Sequence, residues 1–172
     1  TREMINKVVG FDVMDKYVEE AAEQARAISL PCNYYVADGN TLSNYEERYE
    51  VAINSGAMHH LAYINRMTAL LSDLCESGCY VAHDYTGAHR NQYSVDLWHR
   101  VLMAHKDMPE QYRIDLQYPH LPTMLAADPS EAIHAELQME VLGRHFDIEE
   151  HAKLGGGVAH TLLLNNHALH RD

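Results

Sequence analysis

The stretch "YEVAINSGAMHHLAYIN", Tyr49 to Asn65, changes character at its middle. It begins as a short apolar run of the kind found in buried strands, and it breaks at Asn54–Gly56. Two adjacent histidines, His59 and His60, follow where a helix is predicted to begin. A strand, a polar break and then a helix form the repeating unit of α/β proteins. This stretch therefore predicts an α/β fold with polar residues at its strand ends.

Three further strands are predicted on the two sides of this one, at Lys7–Val13, Asn33–Gly39 and Cys79–Tyr85. A helix with Asp15 as its N-cap follows the first strand, and a helix over Tyr63–Gly78 precedes the last. The order is strand, helix, strand, strand, helix, strand. Alternation of this kind favours a parallel sheet with helices on both faces.

The second half of the chain is predicted to be mainly helical, with a helix over Ser94–Asp107 and another that has Asp128 as its cap. Met108–Ala127 between them is irregular and is predicted to be an insertion. The closing stretch "FDIEEHAKLGGGVAHTLLLNN" is predicted to form two antiparallel strands around Gly155–Gly157. Together, residues 1–172 are expected to form one domain.

Composition narrows the classes of function. The net charge of −12 disfavours a nucleic-acid partner, because such binding depends on lysine and arginine contacts to phosphate. No apolar run approaches the ~20 residues that a membrane helix needs, so no membrane partner is expected. The start "TREMINKVVGFD" has no signal-peptide pattern, and the three cysteines form no CxxC pair. These features predict a cytoplasmic protein.

Acidic or small polar residues end three consecutive predicted strands: Asp12, Asp38–Asn40 and Asn54–Gly56. Each alone is compatible with a helix cap or a plain turn. In open α/β sheets, however, ligands bind beyond the carboxyl ends of the strands. Because the three breaks are predicted at one edge of one sheet, together they predict a ligand site.

Four stretches, in this order and spacing, resemble successive motifs of class I S-adenosylmethionine-dependent methyltransferases. They are "VVGFDVMDKYVEEAAEQA", "YYVADGNTL", "YEVAINSGAMHHL" and "LCESGCYVAHDY". The closing stretch resembles the terminal reversed hairpin of that family, and "DYTGAHRNQYS", Asp84 to Ser94, resembles a stretch found in one of its bacterial branches. The resemblance implies a Rossmann-like methyltransferase sheet, mostly parallel with a C-terminal antiparallel hairpin, and S-adenosyl-L-methionine as the cofactor.

The resemblance also implies roles for single residues. The cofactor would be bound by Asp12 at the ribose, Val13 or Met14 on the adenine, Asp38 at the adenine amine, Gly39 and Asn40 beside the ring, and Asn54, Ser55 and Gly56 at the methionine end. The candidates beside the methyl acceptor are His60, Tyr85, Arg90 and Tyr93. The insertion Met108–Ala127, with its tyrosines, is predicted to be a substrate lid, and a small-molecule acceptor is expected.

Thirteen histidines raise the question of a metal site. They show neither HExxH nor facial-triad spacing. "AMHHLAYI" matches a His-rich turn that enters a helix in the family, and side chains at i and i+1 on a helix point apart. His59 and His60 are therefore expected to be a pocket wall and a helix start, with no metal.

The sequence departs from the family in one respect: it contains no Gly-rich GxGxG turn. In the family this turn follows a central strand about 20 residues before the position of Asp12, and eleven residues precede Asp12 here. The family's first strand is therefore expected to be missing, and the chain alone is not expected to form a stable monomer with the family's sheet. Three arrangements would compensate: a further N-terminal segment, a strand from a partner such as a second copy in a homodimer, or direct pairing of Val8–Val13 with Tyr49–Asn54.

Two other functions are compatible with this pattern. A nicotinamide-binding Rossmann oxidoreductase would also place Asp12 at a ribose, although "NSGAMHHL" and a reversed hairpin disfavour it. A catalytically impaired, methyltransferase-like binding module would explain the absence of the glycine turn.

Overall fold

The computed structural model describes residues 5–43, 47–163 and 166–169. Its first unit is strand β1 (Val8–Asp12), helix α1 (Asp15–Ala27) and strand β2 (Cys32–Val36). The two strands are parallel, with Val8 opposite Cys32 and Asp12 opposite Val36. This is the predicted strand–helix–strand order, and α1 packs against β2.

The second unit has the same plan. Strand β3 (Val51–Ser55) is followed by a 3-10 turn at Met58–His60, helix α2 (Ile64–Leu74) and strand β4 (Cys79–His83). β3 and β4 are parallel, and Ser55 lies opposite His83 at their carboxyl ends. The α/β class with parallel strands is therefore confirmed.

The two units do not join into one sheet. β1 pairs with β2 and β3 pairs with β4, so the described residues form two separate two-stranded sheets. Among the described residues no strand pairs with both β1 and β3, and these two strands do not pair with each other. The prediction of a single sheet is wrong for these residues, and so is the arrangement in which the two strands pair directly.

The rest of the described chain is helical and irregular. Its helices are α3 (Val95–Asp107), α4 (Leu121–Ala127), α5 (Gln138–His145) and α6 (Gly157–Leu163). Ser94 caps α3 by accepting a hydrogen bond from the backbone N–H of Leu97. α2 packs against α5, and α3 packs against α6. The best-buried apolar cluster lies between α2 and α5, and its members are Met58, Ile64, Met67 and Val141.

The predicted antiparallel hairpin at the C-terminal end is wrong. Residues 146–156 contain no strand, and Gly157–Leu163 is helix α6; the predicted hairpin also includes residues 164–165, which lie outside the described part. Gly155 and Gly156 have φ values of +76° and +136°, a conformation that ends the irregular segment before the helix. Val158 and Leu162 recur at helical spacing, and Leu162 is buried. An apolar run of this length suits either structure.

The helix predicted to start at Pro129 begins later, at Gln138. Asp128 instead closes a local turn, because its Oδ1 accepts hydrogen bonds from the backbone N–H of Ser130 at 2.8 Å and from its hydroxyl at 2.6 Å. Ala132 then has a φ of +49°, which lies outside the right-handed helical region. The segment thus reverses direction before α5.

The insertion Met108–Ala127 contains a 3-10 turn at Glu110–Tyr112 and the short helix α4. The Tyr118 hydroxyl donates to the carbonyl of Tyr93 at 2.8 Å, which fixes this segment to the loop before α3. Among the helices of the described residues, none is long and apolar enough to cross a membrane.

We expect Gly78→Ala to destabilise the second unit. A Cβ at residue 78 would collide with the backbone of Glu50, whose carbonyl carbon would lie 2.7 Å away. Backbone cannot move aside as a flexible side chain can, so the free energy of unfolding should fall by about 1–3 kcal/mol. Urea unfolding measures this change.

Gly143→Ala is the matched control. Residue 143 lies inside α5, where a Cβ would meet only Ile148 Cδ1 at 3.9 Å. Alanine favours a helix over glycine by about 0.5–1 kcal/mol, so this variant should be slightly more stable than wild type. Equal stabilities for the two variants would contradict the close approach at Gly78.

Candidate functional site

The site is built around Asp84, the residue that follows β4. Its carboxylate accepts hydrogen bonds from His59 Nδ1 at 2.5 Å and from Asn54 Nδ2 at 2.5 Å. It also accepts from the backbone N–H groups of Met58 at 2.8 Å and Tyr85 at 2.7 Å. The Asp84 side chain is only 2% exposed. One buried carboxylate therefore joins the ends of β3 and β4 to the turn that carries the histidines.

The protonation states of Asp84 and His59 follow from these contacts. Burial alone would raise the pKa of Asp84, but the hydrogen bonds from His59 and Asn54 outweigh it and lower that pKa to about 2. Burial alone would lower the pKa of His59, but the hydrogen bond to Asp84 and the nearby carboxylate charges raise it. Asp84 is ionised at neutral pH, and an ionised carboxylate only accepts hydrogen bonds.

His59 and His60 converge rather than point apart. Their ring centroids are 4.1 Å apart, and the Nε2 atoms of both rings lie 3.8 Å from the same oxygen, Oε2 of Glu131. The three side chains offer nitrogen and oxygen atoms that all lie within 4.8 Å of one another. The prediction that the two neighbouring side chains point apart is therefore wrong, and this ground for expecting no metal is removed.

Glu131 is held near the histidines by hydrogen bonds to the backbone of the residues around it. The N–H of Ile133 donates to the carbonyl of His59 at 3.1 Å, and the N–H of Arg90 donates to the carbonyl of Ala132 at 2.8 Å. The Arg90 guanidinium also donates to the carbonyls of Pro129 and Glu131. The loop before α5 is therefore tied to the loops that follow β3 and β4.

The acceptor-side candidates His60, Tyr85, Arg90 and Tyr93 lie in these loops. The Tyr85 ring meets His59 edge-on at 6.3 Å, and its hydroxyl donates to the carbonyl of Ala88 at 3.3 Å. Burial raises the pKa of Tyr85, so this phenol is neutral at ordinary pH. Arg90 is engaged with backbone carbonyls, which gives it a positioning role. Tyr93 stacks on Trp98 with the ring planes 6° apart.

The cofactor candidates of the first unit lie at the carboxyl end of β1. Asp12 Oδ1 accepts a hydrogen bond from the backbone N–H of Met14 at 2.8 Å. Val13 is 64% exposed and Met14 is 50% exposed. These apolar side chains therefore face solvent beside the carboxylate.

Asp38, Gly39 and Asn40 connect the two units. Asp38 Oδ1 accepts from the backbone N–H of Asn40 at 2.8 Å, which closes the turn after β2. The side-chain oxygen of Asn40 accepts from the N–H groups of Ala62 at 2.9 Å and Tyr63 at 3.2 Å, just before α2. Asn40 thus brings the carboxyl end of the first unit against that of the second.

Asn54, Ser55 and Gly56 end β3. Asn54 is buried against Asp84, and its side-chain oxygen accepts from the N–H of Met58 at 3.2 Å. Gly56 has a φ of +64°, and a Cβ built on it would meet no atom within 4 Å. Ser55 and Gly56 therefore border open space, while Asn54 has a structural partner.

A cleft of about 1030 Å³ lies along β4, α5 and the segment 146–154. Its lining includes none of the predicted cofactor residues. The strand ends form an open edge rather than part of this cleft.

Sequence reasoning missed three residues of this site: Asp84, Ser130 and Glu131. Asp84 directly follows a predicted strand, and the rule that placed Asp12 and Asp38 at strand ends would have found it. Glu131 and Ser130 were assigned to a helix that does not form, so no local signal pointed to them.

Comparison with known proteins adds no assignment. No protein-family model matches the chain, and none of the curated proteins matches it.

We expect Asp84→Ala to lower the free energy of unfolding by about 3 kcal/mol, because it leaves buried donors of Asn54 and His59 without an acceptor. Asp147→Ala, which removes an exposed carboxylate, should change stability by about 0.5 kcal/mol or less. Urea unfolding of both variants compares the two effects. Equal unfolding free energies would show that Asp84 is not the centre of this network.

Proposed function

We propose that the chain carries out methyl transfer from S-adenosyl-L-methionine to a small molecule, as its resemblance to class I methyltransferases implies. The observation that carries the proposal is the arrangement of the strand ends. Asp12 and the Asp38 turn lie at the carboxyl end of the first unit, Ser55 and Gly56 at that of the second, and Asn40 joins the two. Ligands bind at such edges in α/β proteins.

In this proposal the first unit binds the nucleoside. A carboxylate can accept about four hydrogen bonds, so Asp12 has room for two ribose hydroxyls besides the N–H of Met14. The exposed side chains of Val13 and Met14 offer an apolar surface for the adenine. The open space beside Gly56 suits the methionine end.

The methyl group would then point towards the loops that follow β3 and β4. A sulfonium methyl is already activated, so the protein mainly aligns acceptor atom, carbon and sulfur. A base is needed only where the acceptor carries a proton. His60 is the candidate base, and Tyr85 is a neutral phenol that can orient an acceptor. The segment Met108–Ala127, through Tyr118, is the candidate lid.

Charge and cysteine chemistry support the proposed acceptor class and location. A net charge of −12 favours a small molecule over a nucleic acid as acceptor. Cys32, Cys75 and Cys79 are free thiols, which accords with a cytoplasmic protein. A homodimer stays a prediction.

We expect Asp12→Ala to weaken binding of S-adenosylmethionine by about 1–3 kcal/mol, because the ribose hydroxyls lose a charged acceptor. Titration calorimetry with S-adenosylmethionine, S-adenosylhomocysteine and NAD measures this change in the full-length protein. Asp15→Ala is the matched control: it removes an exposed carboxylate three residues away, whose visible contact is with the N–H of Lys16.

Binding of S-adenosylmethionine that is equal in wild type and Asp12→Ala would contradict the cofactor site. Tighter binding of NAD than of either methionine derivative would favour the oxidoreductase instead. Binding without methyl transfer to any small acceptor would favour a binding module.

A further inference from the structure

We propose that His59, His60 and Glu131 form a binding site for a divalent transition-metal ion of the zinc type. The ligand atoms are Nε2 of each histidine and Oε2 of Glu131, which lies 3.8 Å from both nitrogens. This inference stands on the local geometry and does not depend on the proposed function. With a metal ion on its Nε2, His60 would not serve as the base.

The orientation of His59 is fixed by Asp84. The carboxylate accepts a hydrogen bond from Nδ1 at 2.5 Å, and as an ionised group it has no proton to donate. The hydrogen of a neutral His59 therefore lies on Nδ1. Nε2 keeps its lone pair and faces Glu131. In metal sites, the histidine nitrogen that does not bind the ion usually donates its hydrogen to a carboxylate, a backbone carbonyl or water.

The orientation of His60 is fixed by a hydroxyl. Ser130 Oγ donates its only hydrogen to Asp128 Oδ1 at 2.6 Å. The hydroxyl can therefore only accept from His60 Nδ1, which lies 3.0 Å away. His60 thus also carries its hydrogen on Nδ1, and its Nε2 lone pair faces the same oxygen of Glu131. The hydrogen bonds at the two Nδ1 atoms therefore leave both Nε2 lone pairs facing Glu131 Oε2.

The two separations between Glu131 Oε2 and the Nε2 atoms suit one ion. Two ligand atoms at about 2.1 Å from a tetrahedral zinc ion lie about 3.4 Å apart. The observed separation of 3.8 Å between each Nε2 and Oε2 differs from that by a few tenths of an ångström. Three protein ligands would leave one coordination position for water or a bound molecule.

Charge and ligand type decide which ion fits. Asp84, Asp128 and Glu131 place three carboxylates around the two imidazoles, and a divalent cation would offset that charge. Imidazole nitrogens favour zinc, iron, nickel and copper, whereas magnesium and calcium prefer oxygen ligands. We therefore expect Zn²⁺ to bind and Mg²⁺ not to compete.

The test is titration calorimetry with ZnCl₂ on the full-length protein, purified without a histidine tag and stripped of metal. We expect one zinc ion per chain. Glu131→Gln and His60→Gln should each weaken binding about tenfold or more, because each removes a ligand. Ser130→Ala removes no ligand but frees the His60 ring, and it should weaken binding about tenfold.

Glu136→Gln is the matched control, since it neutralises a nearby carboxylate that faces His89 at 3.8 Å instead of this cluster. It should leave zinc affinity unchanged. Thermal melting of each metal-free variant identifies any variant that fails to fold. If Glu131→Gln or His60→Gln fails to fold, the zinc affinity of Ser130→Ala decides the outcome.

Zinc binding weaker than about 1 mM in the wild type would overturn the proposal. The proposal would also be overturned if zinc bound stoichiometrically and its affinity were the same in wild type and in Glu131→Gln, His60→Gln and Ser130→Ala. The ion would then be held by other histidines or by the cysteines. Loss of affinity in these variants but not in Glu136→Gln supports the site.

Discussion

The hydrogen bonds received by the buried carboxylate of Asp84 are the constraint on which the second unit depends. This carboxylate joins the end of β3, through Asn54, to the histidine turn, through Met58 and His59. A buried charge is costly unless each of its acceptor positions is used, so these partners must stay in place together. The orientation of His59, and hence the direction of its Nε2, is a consequence of that requirement.

Local patterns predicted much of the fold. The four strands and helices α1, α2 and α3 lie within a few residues of their predicted positions, because apolar runs and helical spacing are properties of neighbouring residues. The separation into two sheets depends on pairing between distant strands, which no local pattern encodes. The prediction of a C-terminal hairpin was wrong because the spacing of Val158 and Leu162 fits both the repeat of a strand and that of a helix. Packing against α3 favours the helix.

The candidate site was predictable only in part. Asp12, Asp38 and Asn54 follow strands, and a rule about strand ends finds such residues. Glu131 and Ser130 reach the histidines through a reversal at Ala132, whose φ of +49° has no signature in its residue type. The convergence of His59 and His60 depends on hydrogen-bond partners that are 25 and 70 residues away in sequence.

Because the fold is divided into two βαβ units, a ligand bound at the strand ends would affect how the two units are ordered. Cooperative segments of a protein can open separately, with different free energies. A molecule that touched both Asp12 and Ser55 would favour the state in which both units are ordered at once. Part of its measured affinity would then reflect the conformational entropy lost when the units are held in register, and a second ligand would meet an already ordered protein.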